Sequence, residues 1–222
     1  MNSEIFWSEL KNGNKSLMNK HEIERYFRLL SKRIDFPSLI ILTGAGAGTI
    51  YGNIRATFDI DFALKIKTRS EKKKTEQWNR FQEASHAVTV QTGIAAQYAE
   101  DIDRWSSITY LDYGKHTKFF KRFGTLEIRF LEPVYWAIGK LTRFLEPDIR
   151  DLCQVLKATK TSSNRLSRLL GIALRKSPKS TACELFRRQV EHFFQTMGPK
   201  VWGKNFQKEK VIKNFHKAAR IT

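Results

Sequence analysis

The stretch LTGAGAGTIYGNIRATFDIDFAL, residues 42–64, decides the fold of this chain. It overlaps a continuous apolar run, SLIILTG at 38–44, which is typical of a buried strand. The small, glycine-rich residues at 45–52 predict a tight turn into a short helix, and ATFDIDFALKI at 56–66 has the composition of a second strand. This order of elements predicts a small α/β core.

Two carboxylates stand two residues apart in the second of these strands. Because strand side chains alternate between faces, Asp59 and Asp61 are expected to point the same way, while Ile60 and Phe62 point into the opposite layer. Two like charges on one face repel each other, and a divalent cation between them removes that repulsion. Hard cations such as Mg²⁺ or Mn²⁺ prefer such oxygen ligands and keep sites for water and substrate phosphates.

The turn before this strand is the second informative feature. Gly44, Gly46 and Gly48 follow the buried strand, where their backbone N–H groups could approach phosphate oxygens. A plain tight turn between strand and helix explains the same glycines, so the turn alone is a weak signal. The turn and the acid pair in this order are much more specific than either of them separately.

Taken together, the pattern resembles the nucleotidyltransferase superfamily, which has a polymerase-β-like fold. The closer resemblance is to the AbiEii toxin-like and related uncharacterised bacterial nucleotidyltransferases, with Gly-Gly-x-Ala, a later Gly and Arg-x-Thr-x-Asp-hydrophobic-Asp. The positions that match are Gly44, Ala47, Gly52, Arg55, Thr57, Asp59 and Asp61. Ala45 stands where the second glycine is usual, which weakens the expected phosphate grip.

A second matching region lies downstream, in AIGKLTRFLEPDIRDL. It resembles the late family motif Lys-hydrophobic-x-x-Arg…Arg-Asp-hydrophobic-x-Asp, with matches at Lys140, Asp148 and Asp151. Pro147 replaces the arginine before the first aspartate, and Arg143 is a candidate to supply that charge. The resemblance covers roughly residues 38–155 and does not extend into the C-terminal segment.

The resemblance implies the roles of the site residues. Metal binding falls to Asp59 and Asp61, and a third carboxylate from a later strand acts as general base or metal ligand. Two predicted strands, ITYLDYG and TLEIRFLEP, offer that acid; Asp112 is preferred and Glu127 is the alternative. The expected nucleotide-binding residues are Gly44, Ala45, Arg55, Thr57 and Lys140.

Some of these residues also have structural interpretations. A lysine on an otherwise apolar helix face needs an anionic partner, so Lys140 either binds triphosphate or extends to solvent. Asp148 and Asp151 lie three apart on a predicted helix and share a face, which favours a structural role, such as orienting Lys140 or an arginine of the C-terminal segment, over metal binding. Asp112 could equally be a solvated strand carboxylate.

Outside this core, the pattern predicts mainly helices. Amphipathic segments occur at 17–35, 69–88, 163–176, 180–197 and 208–220, with a further helical run from Pro133. The segment 95–106 reads as a short helix or an ordered loop, and KHTKFFKRF as a basic connection between strands. The expected architecture is α+β: a nucleotidyltransferase-fold mixed β-sheet flanked by helices at 1–158, then a basic helical domain at 159–222.

Charge indicates a polyanionic partner. The chain has a net charge of +18, and residues 155–222 contribute +13 of it through 16 Lys or Arg and 3 Asp or Glu. Such density favours contact with nucleic acid through counterion release, although a solvated surface is the simpler reading. The aromatic residues of this segment are expected to form a helical core. No apolar run approaches the ~20 residues of a membrane span, and the first residues do not resemble a signal peptide, which predicts a cytoplasmic location.

The resemblance therefore implies transfer of a nucleoside monophosphate from an NTP to an RNA, with tRNA as one candidate, or to a protein acceptor. The basic C-terminal helices would contact the RNA. The protein would then be a candidate toxin of a toxin–antitoxin or abortive-infection system, with a protein antitoxin as partner. The alternative is a catalytically degenerate scaffold that binds nucleic acid or a protein, and the departures at Ala45 and Pro147 keep this alternative open.

Overall fold

A computed structural model describes residues 18–52, 57 and 59–221 of the 222-residue chain. This part of the chain is α+β, with a five-stranded mixed sheet and nine α-helices. The strands are β1 (Ser38–Leu42), β2 (Asp59–Ile66), β3 (Ala95–Ala99), β4 (Thr117–Phe123) and β5 (Leu126–Leu131). The helices are α1 (Lys20–Ser31), α2 (Gly44–Ile50), α3 (Glu71–Thr92), α4 (Pro133–Arg143), α5 (Glu146–Ala158), α6 (Ser163–Lys176), α7 (Thr181–Thr196), α8 (Gly198–Trp202) and α9 (Lys208–Ala219).

The sheet has the strand order β3-β2-β1-β5-β4. β1 runs antiparallel to β2 and parallel to β5, β2 runs parallel to β3, and β4 closes the other edge antiparallel to β5. The last paired residue of β1, Leu42, lies opposite Phe62. The start of β2 therefore extends past the end of β1, and Asp59 and Asp61 lie beside the turn that follows it.

The two faces of β2 have different environments. Ile60, Phe62 and Leu64 are fully buried, and the Phe62 ring packs edge-on against Phe27 of α1, with centroids 5.6 Å apart, and against Phe81 of α3 at 6.1 Å. The carboxylates of β2 alternate with these residues and are only partly buried. The apolar face thus fixes the register of β2, and that register places both acids on the opposite face.

Helix boundaries in the described chain follow local capping chemistry. Asn19 begins α1 by accepting hydrogen bonds from the backbone N–H groups of His21 at 2.8 Å and Glu22 at 3.1 Å. Prolines in the first turn begin α4, as predicted at Pro133, and also α5. The helices expected at 163–176, 180–197 and 208–220 are present as α6, α7 and α9, while the short α8 was not foreseen.

The C-terminal helices pack against one another through buried apolar side chains. Phe186, Phe193, Phe194 and Phe215 are fully buried, which confirms that aromatic residues of this segment form core. Helices α6 and α9 approach so closely that a Cβ added to Gly171 would lie 2.5 Å from the Phe215 carbonyl oxygen. The boundary predicted at residue 158 coincides with the end of α5, and the buried apolar cluster is continuous across it.

Three local predictions are wrong. Residues 95–99 form β3 rather than a helix or loop, although the rest of the segment 95–106 contains a short 3-10 helix at Ile102–Trp105. The basic connection forms the edge strand β4. Residues 108–114, predicted as a strand, contain no strand. Their backbone N–H groups are bound by side chains instead: Asp103 accepts from Tyr110 at 2.6 Å, and Ser177 accepts from Thr109 at 2.9 Å. Tertiary partners therefore decide these segments, because an edge strand and an ordered loop can share one apolar pattern.

No helix in the residues described here is long and apolar enough to cross a membrane.

Candidate active site

The turn after β1 brings glycine and carboxylate into contact. The Thr43 N–H donates to the Asp61 carbonyl oxygen at 2.9 Å, which joins the turn to β2. Gly44 has φ +54°, and a Cβ at this position would lie 1.9 Å from Asp61 Oδ2. Only glycine fits, because both the backbone conformation and the neighbouring carboxylate exclude a side chain.

Asp59, the other acid of the pair, accepts hydrogen bonds from two uncharged side chains. The Thr57 hydroxyl donates to Asp59 Oδ1 at 2.8 Å, and Gln97 Nε2 on β3 donates to Asp59 Oδ2 at 3.1 Å. Neither donor carries a charge, so these two hydrogen bonds orient the carboxylate and leave its negative charge in place. Thr57, expected to contact nucleotide, therefore positions an acid.

A cleft of about 300 Å³ opens in front of Asp61. This volume lies at the lower end of the range for small-molecule sites, which is roughly 300–1,000 Å³. Its walls come from the β1 turn, β2, β3, the loop after β3, and α4. The residues that line it include Thr43, Gly44, Asp61, Gln97, Trp105, Tyr110, Trp136 and Arg143.

Two aromatic residues form the inner wall of this cleft. The Trp136 indole N–H donates to the Gly44 carbonyl oxygen at 2.7 Å and so supports the turn from α4. Tyr110 packs so tightly on α4 that a Cβ at Gly139 would lie 1.8 Å from its hydroxyl. Burial raises the pKa of Tyr110, which keeps the phenol protonated and able to donate a hydrogen bond.

Lys140 lies at the back of the cleft, where carboxylates neutralise it. Its side chain is 2% exposed, and its ammonium donates to Asp148 at 2.8 Å and to Asp151 at 2.5 Å. The ammonium also stands 5.3 Å from the centroid of the Trp136 ring. The two aspartates thus orient Lys140, one of the structural roles considered for them, and the lysine does not extend to solvent; its expected contact with nucleotide stays a prediction.

Arg143, one helical turn further along α4, reaches the cleft. Its Nε and Nη2 donate to the two oxygens of Asp148 at 3.1 and 2.9 Å, and about half of the side chain is exposed. Bidentate pairing fixes the guanidinium plane while leaving N–H groups that can meet a second anion. The residue suggested as a substitute for the missing motif arginine is thus the cation at this wall.

The structure does not bring the expected third carboxylate to the cleft. Asp112 lies on a turn, not on a strand beside β2; its side chain is 65% exposed and pairs with Lys115 at 2.7 Å. Glu127 lies on β5 opposite Leu39, near the start of β1, and pairs with Arg122 and Arg129. Asp61 lies past the other end of β1, roughly 13 Å away along the strands at ~3.3 Å per residue.

The pairing of β1 with β2 ends at Phe62, so the strand that pairs with β2 at Asp61 is β3, where Gln97 lies opposite. An amide therefore occupies the place where the sequence predicted an acid. Nothing in AAQYA marked it beforehand, because the segment lacks the β-branched residues and alternation that predict a strand. Trp105, Tyr110 and Trp136 were missed for a similar reason: isolated aromatic residues do not reveal which of them will line a cleft.

Two further residues, Ala45 and Arg55, were expected to bind nucleotide. Ala45 lies in the first turn of α2 and is buried, being 6% exposed. Arg55 lies outside the described residues.

The acid pair suits a hard divalent cation in part. Asp59 and Asp61 supply carboxylate oxygens on one face, and Mg²⁺ commonly takes only one or two protein carboxylates beside water and phosphate oxygens. Across residues 18–52, 57 and 59–221, no group of three or more His, Cys, Asp or Glu side chains is arranged to hold a metal. The donor set therefore fits an ion that arrives with a phosphate ligand better than a resident ion in a closed protein site.

Comparisons with known proteins return no match: none with a protein-family model, none with a curated protein and none with a solved structure.

Proposed function

We propose that this protein is a metal-dependent nucleotidyltransferase, which transfers a nucleoside monophosphate from an NTP to an RNA, such as tRNA, or to a protein. The observation that supports this most strongly is the contact between Asp61 and Gly44 at the floor of the cleft. It places a carboxylate directly against a glycine turn, where triphosphate oxygens and a divalent cation can approach together.

Each wall of the cleft has a role in the proposed reaction. Asp59 and Asp61 would hold Mg²⁺ or Mn²⁺, which supplies charge neutralisation for the triphosphate when bound. Arg143 binds phosphate oxygens, and the Thr43–Gly44 turn leaves room for them. In the transfer, the acceptor hydroxyl oxygen forms a bond to the α-phosphorus, the bond to pyrophosphate breaks, and the hydroxyl proton is released. Lys140 supports the site from behind by fixing Asp148, which in turn fixes Arg143.

The acceptor is proposed from charge. Residues 155–222 carry +13 of the net charge of +18, and the aromatic residues that would otherwise stack on bases are largely buried in this segment. Contact with an RNA acceptor would therefore be mainly through phosphates and strongly salt-dependent. A role as toxin, with an antitoxin bound to these helices, is compatible with that surface and would act through the same cleft.

The test is to incubate the protein with each labelled NTP, Mg²⁺, and total cellular RNA or protein, and to follow labelled acceptor and pyrophosphate. We expect one NTP to label one acceptor class, and Asp59→Asn and Asp61→Asn to reduce transfer at least about a hundredfold. Asp112→Asn is the matched control, since that carboxylate lies away from the cleft; it should leave transfer unchanged. Full transfer by Asp61→Asn, or no transfer with any NTP, would overturn the proposal.

A second function is favoured by one specific observation. Gln97 stands opposite Asp61 where the family pattern expects an acid, which suits a scaffold that has lost transfer and binds nucleic acid or a protein. This alternative predicts salt-sensitive RNA binding that survives Asp61→Ala, together with no metal-dependent NTP binding. Filter binding of labelled RNA and of labelled NTPs, measured for the wild type and for Asp61→Ala, separates the two functions.

A further inference from the structure

One large apolar side chain at the cleft remains half exposed. Among the described residues, Trp105 is 48% exposed, and of the large apolar residues with comparable exposure it is the one that lines the cleft. Trp136, the other indole of the cleft, is buried and donates to the Gly44 carbonyl oxygen. The two indoles therefore differ: one supports the turn, while the other presents a ring to solvent at the cleft mouth.

The backbone on the N-terminal side of Trp105 is fixed. The chain leaves β3 at Ala99 and forms a 3-10 turn at Ile102–Trp105, in which Ile102 is 1% exposed. Asp101 begins the turn by accepting from the Asp103 N–H at 3.0 Å. Asp103 then accepts from the Tyr110 N–H at 2.6 Å, which ties the turn to the aromatic wall.

The C-terminal side of Trp105 is fixed as well. The Ser106 hydroxyl donates to the Ile108 carbonyl oxygen at 2.7 Å and accepts from the Ile108 N–H at 3.1 Å. Ile108 itself is fully buried. An exposed indole on a backbone held at both ends is a preorganised surface, because little conformational freedom is lost when a flat ligand binds to it.

The chemistry of the cleft selects the ligand for that surface. Isolated exposed apolar residues are ordinary, but this one shares a cleft of about 300 Å³ with a carboxylate, a guanidinium and a glycine turn. A ligand that suits all of them has an anionic end and a planar aromatic end. Nucleobases stack on indoles, and such stacking tolerates different bases because every base has a π-face.

We propose that Trp105 is the platform on which the nucleobase of the bound NTP stacks, while its phosphates lie toward Asp61 and Arg143. This inference rests on the proposed function. Purines are expected to bind more tightly than pyrimidines because they offer a larger stacking area. The hydroxyls of Ser106 and Thr142, which also line the cleft, already donate to backbone carbonyls, so their protons are not available to a base edge.

The experiment measures binding by titration calorimetry, in Mg²⁺, of ATP, GTP, CTP, UTP and inorganic tripolyphosphate. The proteins are the wild type, Trp105→Ala, Trp105→Phe, and the control Phe119→Ala, which removes a similarly exposed aromatic side chain from β4. We expect Trp105→Ala to weaken NTP binding about 5- to 100-fold and to leave tripolyphosphate binding unchanged. Trp105→Phe should retain most of the NTP affinity, and Phe119→Ala all of it.

Several results would overturn the inference. One is equal NTP affinity in Trp105→Ala and Phe119→Ala; another is an equal loss of tripolyphosphate binding in Trp105→Ala, which would indicate general damage to the cleft. If the wild type binds neither NTP nor tripolyphosphate, the proposed function fails, and this inference fails with it. If the wild type binds both and Trp105→Ala changes neither affinity, only the inference fails.

Discussion

Two groups of carboxylates in this protein differ in burial and in the donors that orient them. Asp148 and Asp151 are buried between α4 and α5 and are matched by the ammonium of Lys140 and the guanidinium of Arg143. The β2 pair is only partly buried, and the donors fixed on Asp59 are a hydroxyl and an amide. Removing the cation from a buried carboxylate strongly destabilises a fold, whereas a partly buried carboxylate at a cleft is accessible to a ligand. Arg143 connects the two groups, since it pairs with Asp148 and lines the cleft.

The largest expected effect is a loss of stability when the buried carboxylates, Asp148 and Asp151, lose their cation. Lys140→Met keeps most of the side-chain volume but leaves two buried carboxylates without their ammonium, so the free energy of unfolding should fall by about 3–5 kcal/mol. The control is Lys121→Met. Lys121 contacts Glu24 at the same 2.5 Å but is 41% exposed, and its loss should cost about 1 kcal/mol or less. Urea unfolding measures both, and equal losses would show that burial does not distinguish these ion pairs.

The next largest effect tests the carboxylates at the cleft through the contact between Gly44 and Asp61. Gly44→Ala places a methyl group against Asp61 and should reduce nucleotidyl transfer at least about a hundredfold by displacing that carboxylate. Gly124→Ala is a matched control, because Gly124 has the same φ of +54° and nothing within 4 Å of an added Cβ. Both variants share the backbone strain, so a comparison of transfer rates at equal folded fraction isolates the contact. Similar activity in the two variants would contradict this role of Gly44.

A smaller effect tests the amide at the place of the third acid. Gln97→Glu adds a carboxylate opposite Asp61 and should raise the affinity for Mn²⁺ about tenfold, while the loss of the Gln97 donor loosens Asp59. Gln91→Glu, on α3 and outside the cleft, is the control for added charge. Metal affinity can be followed by electron paramagnetic resonance of free Mn²⁺. Unchanged affinity in Gln97→Glu would mean that the amide does not face the ion site.

The smallest effect concerns acid stability. Burial alone would raise the pKa of Asp148, but hydrogen bonds from Arg143 and Lys140 outweigh it and the pKa is lowered. A carboxyl whose folded pKa lies below its unfolded value stabilises the fold at neutral pH, and this contribution is lost as pH falls below about 4. Each unit of lowering corresponds to about 1.4 kcal/mol. In urea unfolding between pH 7 and pH 3, Asp148→Asn should lose less stability than the wild type. An identical pH dependence would exclude this contribution.

Much of the fold could be predicted from local patterns of apolar and polar residues in the sequence. The strand predicted at 38–44 is present as β1 (Ser38–Leu42), and Asp59–Ile66 of the strand predicted at 56–66 forms β2. These strands, the short helix after β1 and the amphipathic C-terminal helices could be predicted because apolar periodicity and capping residues act locally. The alternation of β2 placed Asp59 and Asp61 on one face for the same reason. Residues 95–123 were predicted poorly, since β3 and β4 lie at sheet edges and the segment between them is ordered by hydrogen bonds from distant side chains.

The sequence by itself determined the acid pair, the glycine turn and the strongly basic C-terminal segment. These features depend on residue type and on spacings of a few residues. Only the tertiary structure decided that Gln97 rather than Asp112 stands beside Asp61, that Arg143 is the cation at the cleft, and that Trp105 presents an exposed ring there. Strand order and loop packing are set by contacts between residues far apart in the chain, and a single sequence does not encode those contacts in any local pattern.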